Sequence, residues 1–166
     1  MQTFTSKATS INSSKLPAVF KRAPLSAPLV MDYGSGKYTN HIEEYVNAQH
    51  KTYLPYDPYN QTEESNKATV TLVINAMYLR FPVDVVCSNV LNVIDDDMTI
   101  QRIAHHIEGI TQATGGTGYI TVYEGNRSGC GKQTGTDQYQ RNEPLQNYLR
   151  FFQNAVIRNG MIVVGR

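Results

Sequence analysis

The chain has 166 residues, the usual size of one domain that folds around its own hydrophobic core. Its 15 basic and 14 acidic residues leave a net charge of +1, so no overall field draws it to nucleic acid or an acidic membrane, although a nucleic-acid partner stays open. No stretch approaches the ~18 apolar residues of a membrane span. Two cysteines without disulfide or metal spacing are typical of a reducing cytoplasm, which is the location we expect.

Residues 1–26 are predicted to form an N-terminal extension, ahead of a single α/β domain over residues 27–166. Residues 1–31 contain no acid, a composition that resembles an organellar transit peptide. The alternative that we favour is a Ser-rich start followed by a short helix over residues 16–22, which would cover one end of the sheet.

Strands and helices alternate along the rest of the chain. Val83–Cys87 is nearly continuous in apolar residues, as in a strand buried on both faces of a parallel sheet. Residues 66–79 fit a strand or a helix, and we favour a helix. Strands are predicted over residues 28–32, 51–56, 83–87, 118–123 and 161–164, and helices over 40–48, 66–79, 98–114 and 145–158. This alternation predicts a mostly parallel sheet flanked by helices.

A glycine-rich turn follows the first predicted strand, in the segment Asp32-Tyr33-Gly34-Ser35-Gly36. Glycines let the backbone turn sharply and approach a ligand closely. Asp57 lies 21 positions after Gly36, at the end of the second predicted strand. An ionised carboxylate there can accept both hydroxyls of a ribose, so the two features together predict a nucleotide-type cofactor.

These residues resemble the class I (Rossmann-like) S-adenosylmethionine-dependent methyltransferases. The Asp-x-Gly-x-Gly turn, the acid after strand two and the small polar segment Cys87–Asn92 match that family's motifs. Within that family, the chain resembles a poorly characterised bacterial and phage-type group. That group has an Asp-Tyr-Gly-x-Gly-Lys turn, a Tyr-Asp-Pro-Tyr-Asn segment, a Ser-Asn-Val-Leu-Asn-Val-Ile segment and a Tyr-Glu-Gly loop, which here span about residues 28–142.

The resemblance implies a compact or truncated methyltransferase fold with S-adenosylmethionine as cofactor. In that family pattern the glycine turn holds the methionine end, Asp57 the ribose, and Ser88–Val90 the wall beside the sulfonium. The cofactor-binding candidates are Asp32, Tyr33, Gly34, Ser35, Gly36, Asp57, Pro58, Tyr59, Ser88, Asn89 and Val90. Too little chain separates Asp57 from Asp84 for the usual third strand, so we expect that strand to be missing or vestigial.

The segment Tyr123–Arg141 is polar, glycine-rich and too long for a plain connection, and is therefore predicted to cover the pocket of the methyl acceptor. Its substrate-facing candidates are Glu124, Arg127, Asp137, Tyr139 and Arg141. The acceptor is unidentified. No catalytic residue is specified, because methyl transfer from a sulfonium depends mainly on in-line positioning.

Several alternatives remain open at this stage. Asp57 also suits the start of an Asp-Pro turn, and Asn89 and Asn92 suit the satisfaction of buried amides. The acids Asp95–Asp97 are better explained as a helix cap than as metal ligands, and no metal is expected. The alternative functions are an inactive cofactor-binding accessory subunit, or an enzyme that degrades S-adenosylmethionine. A protein partner or a homo-oligomer is also possible on the sequence.

Overall fold

Four parallel strands form the centre of the structure, a computed structural model that describes residues 1–7 and 15–165. The sheet has the order β2-β1-β3-β4-β8-β7, in which β8 runs in the opposite direction to the other five strands. A separate hairpin consists of β5 and β6. The strands are β1 (Leu29–Tyr33), β2 (Thr52–Tyr56), β3 (Val83–Ser88), β4 (Gly118–Thr121), β5 (Lys132–Gly135), β6 (Gln138–Gln140), β7 (Ala155–Arg158) and β8 (Met161–Val164). The predicted α/β class with a mostly parallel sheet is confirmed.

Helices cover both faces of this sheet. The helices α1 (Ala18–Arg22) and α2 (Asn40–Asn47) pack on one face, and α3 (Glu63–Leu79) and α4 (Asp97–Thr114) pack on the other. Successive strand residues alternate between the two cores, as Val85 and Val86 do on β3. Both α3 and α4 begin at a side-chain cap, since Thr62 and Asp96 accept the backbone N–H groups of Ser65 and Thr99. None of the helices in the described parts of the chain has the length and apolar character needed to cross a membrane.

The segment between β2 and β3 contains fewer secondary-structure elements than the usual doubly wound order, as expected from its length. Residues 57–82, all of them described, contain α3 and no strand. The third strand of the usual doubly wound order is therefore absent from this segment. The predicted short N-terminal helix is present as α1, but it packs on the sheet face against β3 and β4 rather than over an end of the sheet. Part of the predicted Ser-rich start, residues 8–14, lies outside the described residues.

The prediction of one helix over residues 145–158 is wrong. A 3₁₀ helix spans Leu145–Phe151, and the strand β7 follows it. Asn159 and Gly160 have φ values of 49° and 66° and join β7 to β8 in a two-residue hairpin. Asn-Gly is the sequence that favours this turn, because both central residues need positive φ. Likewise β4 ends at Thr121 instead of residue 123, and the predicted polar loop contains the hairpin of β5 and β6.

The carboxylate of Asp84 connects three strands at the amino-terminal edge of the sheet. Asp84 lies on β3 and is fully buried. It accepts backbone N–H groups from Ser26 at 2.7 Å, Ala27 at 2.9 Å and Thr117 at 2.9 Å. Residues 26–27 lead into β1 and Thr117 leads into β4, so one side chain fixes where both strands begin beside β3.

We expect Asp84→Ala to lower the free energy of unfolding by about 3 kcal/mol or more, because it leaves three buried N–H donors without an acceptor. Urea unfolding followed by circular dichroism measures this change. Glu44→Ala removes an exposed carboxylate from α2 and should change stability by less than about 0.5 kcal/mol. Equal losses in both variants would contradict the structural role of Asp84.

Candidate functional site

A cavity of about 630 Å³ lies beyond the carboxyl ends of β1, β2 and β3. Within the sheet, β2 lies next to β1 on one side and β3 lies next to β1 on the other, so the strand order reverses at β1. Ligands of open α/β sheets bind at such a reversal of strand order. All eleven cofactor-binding candidates line the cavity: Asp32, Tyr33, Gly34, Ser35, Gly36, Asp57, Pro58, Tyr59, Ser88, Asn89 and Val90.

The glycine turn after β1 is held in place by residues at and after the carboxyl end of β2. The N–H groups of Gly34 and Ser35 both donate to the carbonyl of Tyr56, at 2.7 and 3.1 Å. The N–H of Gly36 donates to the carboxylate of Asp57 at 2.9 Å, and its carbonyl accepts the side-chain amide of Gln61. The turn is thereby fixed in shape, but its N–H groups are used within the protein rather than pointed at a ligand.

Gly34 is required at its position for two physical reasons. Its φ is 83°, which favours glycine, and a Cβ built there would lie 2.3 Å from Cγ2 of Val90. Val90 follows β3, so the close approach lets the segments after β1 and β3 meet at the base of the cavity.

The carboxylate of Asp57 makes four hydrogen bonds with its own turn and with the glycine turn. One oxygen accepts the backbone N–H groups of Tyr59 and Asn60, at 2.9 and 3.0 Å. The other accepts Gly36 N–H and the side-chain amide of Asn60. Four donors fill the lone-pair sites of a carboxylate, so a ribose hydroxyl would find no unused acceptor here. These contacts correspond to the alternative in which Asp57 begins an Asp-Pro turn.

Asp32 is a buried acid at the base of the cavity. Its Oδ2 accepts the hydroxyl of Tyr53 at 2.6 Å. Burial raises the pKa of Asp32 from 3.8 to about 7, although the hydrogen bond from Tyr53 opposes this shift, and the nearby charge of Asp57 raises it further. The ionised form is therefore costly in the protein alone and would be stabilised by a positive charge in the cavity.

The wall after β3 has a strained residue at its tip. Asn89 adopts a left-handed φ of 56°, and its N–H donates to the carbonyl of Thr121 on β4. The hydroxyl of Thr121 also donates to Ser88, at 3.3 Å. Asn92, in contrast, is buried away from the cavity, where its amide donates to Gln140. It satisfies buried polar groups, as one of the open alternatives proposed.

Sequence reasoning missed several parts of the cavity wall, and the two largest come from α4 and from the chain before α1. One face of α4 contributes Thr99, Arg102, Ile103 and His106, whose spacing of three and four residues is the only signal that could have grouped them. The chain before α1 contributes Gln2, Thr5, Ser6, Lys15, Leu16 and Pro17. Nothing in the composition of that segment indicates contact with a site.

None of the five substrate-facing candidates, all of which lie in described parts of the chain, lines this cavity. Glu124 pairs with Arg127 and accepts the N–H of Leu145 at 2.6 Å. The N–H of Leu145, followed by the guanidinium of Arg127, lowers the pKa of Glu124. Arg141 is buried, with ion pairs to Asp97 and Glu143.

The other two candidates hold the N-terminal residues in place. Asp137 accepts the backbone N–H of Thr5 at 2.9 Å and also its hydroxyl. Tyr139 stacks on Phe4 with ring centroids 5.6 Å apart. Thr5 itself lines the cavity, so these candidates support the wall indirectly. Among the residues that the structure describes, no cluster of three His, Cys, Asp or Glu side chains could hold a metal ion.

The steric overlap between a side chain at position 34 and Val90 predicts that a smaller residue at position 90 partly rescues a substitution of Gly34. Gly34→Ala should destabilise the protein by about 1–3 kcal/mol, because it adds steric overlap and a strained φ. In a background carrying Val90→Ala the same substitution should cost less, since the overlapping methyl groups are gone. A double-mutant cycle from urea unfolding measures this coupling. Additive losses would contradict the steric explanation.

The raised pKa of Asp32 predicts a pH-dependent stability. Because ionisation is disfavoured in the folded state, wild type should lose stability relative to Asp32→Asn as pH rises from about 4 to about 7, by up to about 4 kcal/mol. Unfolding of both proteins across this range gives the difference, in which the other titrating groups cancel. A constant difference would show that Asp32 ionises at its ordinary pKa.

Comparison of this chain with protein-family models, with curated proteins and with solved structures finds no match. The functional interpretation of the cavity therefore depends on its position in the sheet, on the residues that line it and on their charges.

Proposed function

We propose that this protein is an S-adenosylmethionine-dependent methyltransferase that transfers a methyl group by direct displacement. One observation carries the proposal. Three segments that are distant in sequence, 32–36, 57–59 and 88–90, are those that the family resemblance assigns to the cofactor, and all three line one cavity. Neighbouring parallel strands bring their carboxyl ends to one edge of the sheet, and here these ends enclose a volume of about 630 Å³.

The order of the parallel strands supports the same proposal. The usual doubly wound order is 3-2-1-4-5-6, and removal of the third strand leaves 2-1-4-5-6, whose first four strands are 2-1-4-5. The strands β2-β1-β3-β4 have this order, with the cavity at the reversal between β1 and β3. The finer assignment to a methyltransferase fold is part of the proposal.

The chemistry of Asp32 fits a cationic ligand. Bound S-adenosylmethionine would supply a methyl group on a positively charged sulfonium, next to a protonated amine. A buried carboxylate with a pKa of about 7 can ionise when such a charge enters and can compensate it. Tyr53 holds this carboxylate in place through its 2.6 Å hydrogen bond.

Asp57 has a positioning role in this proposal. Its four hydrogen bonds fix Gly36 and the turn over residues 58–60, which together shape the cavity. The apolar Val90 packs against Gly34 and lines the cavity beside it. These residues orient a ligand without taking part in proton transfer, as a displacement on a methyl group requires.

The binding experiment is a calorimetric titration with S-adenosylmethionine and with its demethylated product, at pH 6 and pH 8. If Asp32 must ionise to bind the cation, wild-type affinity should rise about tenfold between these pH values, in proportion to the ionised fraction. Asp32→Asn should bind more weakly at pH 8 and lack this part of the pH dependence. Comparing the two proteins removes the titration of the ligand itself.

Glu44→Gln, which removes an exposed charge outside the cavity, serves as the matched control and should behave as wild type. Failure of folded wild type to bind either ligand would overturn the proposal. Binding that is equal in wild type and Asp32→Asn at both pH values would overturn the role of Asp32.

The accessory-subunit alternative is favoured by one observation: none of the five substrate-facing candidates reaches the cavity. Product analysis distinguishes the possibilities. A transferase forms the demethylated thioether only when an acceptor is present, whereas a degrading enzyme consumes the cofactor alone. A protein that binds the cofactor and turns over nothing with small acceptors would act as an accessory subunit.

A further inference from the structure

One face of α4 contributes an arginine and a histidine to the cavity wall. Thr99, Arg102 and His106 follow one another at helical spacing on this face, and all three line the cavity. Two acids line the cavity: Asp32 lies at its base and accepts the hydroxyl of Tyr53, whereas the carboxylate of Asp57 is used by its own turn and the glycine turn. The helix α4 thus contributes the cation Arg102 to a cavity that also has Lys15 on its wall and its two acids at the ends of β1 and β2.

Arg102 is exposed to solvent at the cavity, and it pairs with no acid in the described parts of the chain. Within residues 1–7 and 15–165, no carboxylate oxygen lies within 4 Å of its guanidinium. Its Nη2 donates to the hydroxyl of Thr99 at 3.0 Å, which uses one of five donors. The nearest acids in sequence are already occupied: Asp96 caps α4, Asp97 pairs with Arg141, and Glu108 accepts the N–H groups of Gln153 and Asn154.

Tyr33 orients a second donor on the same face. Its hydroxyl lies 3.0 Å from Nδ1 of His106. Burial raises the pKa of Tyr33, so its hydroxyl keeps its proton and can donate it to Nδ1. Donation to Nδ1 places the proton of a neutral imidazole on Nε2, where it can serve as a further donor. Arg102 and His106 lie four residues apart, so their donors can meet one ligand group.

We propose that Arg102 and His106 form an anion-binding subsite of the cavity, which takes a carboxylate or a phosphate. The inference rests on the proposed function for the identity of the ligand. Two sources share this chemistry: the carboxylate of S-adenosylmethionine and an anionic group on the methyl acceptor. A guanidinium binds either oxyanion through paired N–H donors.

The test compares wild type with Arg102→Gln, Arg102→Lys and the control Arg158→Gln. Arg158 is an exposed arginine on β7, outside the cavity, so its substitution changes net charge equally. The probes are S-adenosylmethionine, its decarboxylated analogue and inorganic phosphate, at constant ionic strength. Affinity is measured by calorimetry and phosphate protection by thermal shift.

If the subsite binds the carboxylate of the cofactor, wild type should prefer S-adenosylmethionine over the decarboxylated analogue by about tenfold or more, and Arg102→Gln should lose this preference. If the subsite instead binds an anionic group of the methyl acceptor, phosphate should stabilise the cofactor-saturated wild type but not cofactor-saturated Arg102→Gln. In that case Arg102→Gln should bind the cofactor with wild-type affinity. Arg102→Lys should keep part of either effect, because it retains the charge but not the paired donors. Arg158→Gln should match wild type.

Two results separate this inference from the proposed function. Binding of S-adenosylmethionine with no effect of Arg102→Gln on any probe would overturn the subsite while the proposed function stands. Phosphate protection that requires Arg102, in a protein that does not bind S-adenosylmethionine, would support the subsite and overturn the proposed function.

Discussion

A buried carboxylate at each end of the parallel sheet fixes the positions of its strands, and the one on which the fold depends most is Asp84. It has three backbone donors and no access to water, so β1, β3 and β4 start where its hydrogen bonds allow. Their register then decides where their carboxyl ends lie. At that opposite edge Asp57 repeats the principle, because it binds the glycine turn after β1 to the turn after β2. The cavity is the space enclosed by ends that are fixed in this way.

Much of the sheet could be predicted from the sequence because its signals are local. The apolar run of β3 and the strand followed by glycines at β1 each have few alternative conformations. Residues 145–158 could not be assigned from hydrophobic periodicity, because Leu145, Tyr148 and Phe151 have the spacing of a helix but belong to a 3₁₀ helix that ends before β7. The decisive signal was the pair Asn159-Gly160, whose positive φ values start a hairpin. Turn chemistry outweighs periodicity when the apolar segment is short.

The site was predictable in part for the same reason. Residues at the carboxyl ends of parallel strands share one edge, so Asp32, Asp57 and Ser88 could be grouped without coordinates. The sequence could not show which polar atoms of the site are free to bind a ligand, since the hydrogen bonds of Asp57 depend on the conformation of residues 58–60. The face of α4 and the N-terminal residues reach the cavity through tertiary packing alone. The polar segment 123–141 makes its contacts with Thr5, Asp97 and Leu145 instead of the cavity.

The contact between Gly34 and Val90 also has a consequence for how sequences of this kind diverge. The two positions compete for the same volume, so a lineage can enlarge the residue at 34 only after the residue at 90 has become small. The left-handed backbone at Gly34 adds a second constraint in the same direction, since residue 90 can shrink while glycine stays. A glycine at 34 paired with variable branched or small residues at 90 is therefore the pattern by which distant relatives could be aligned.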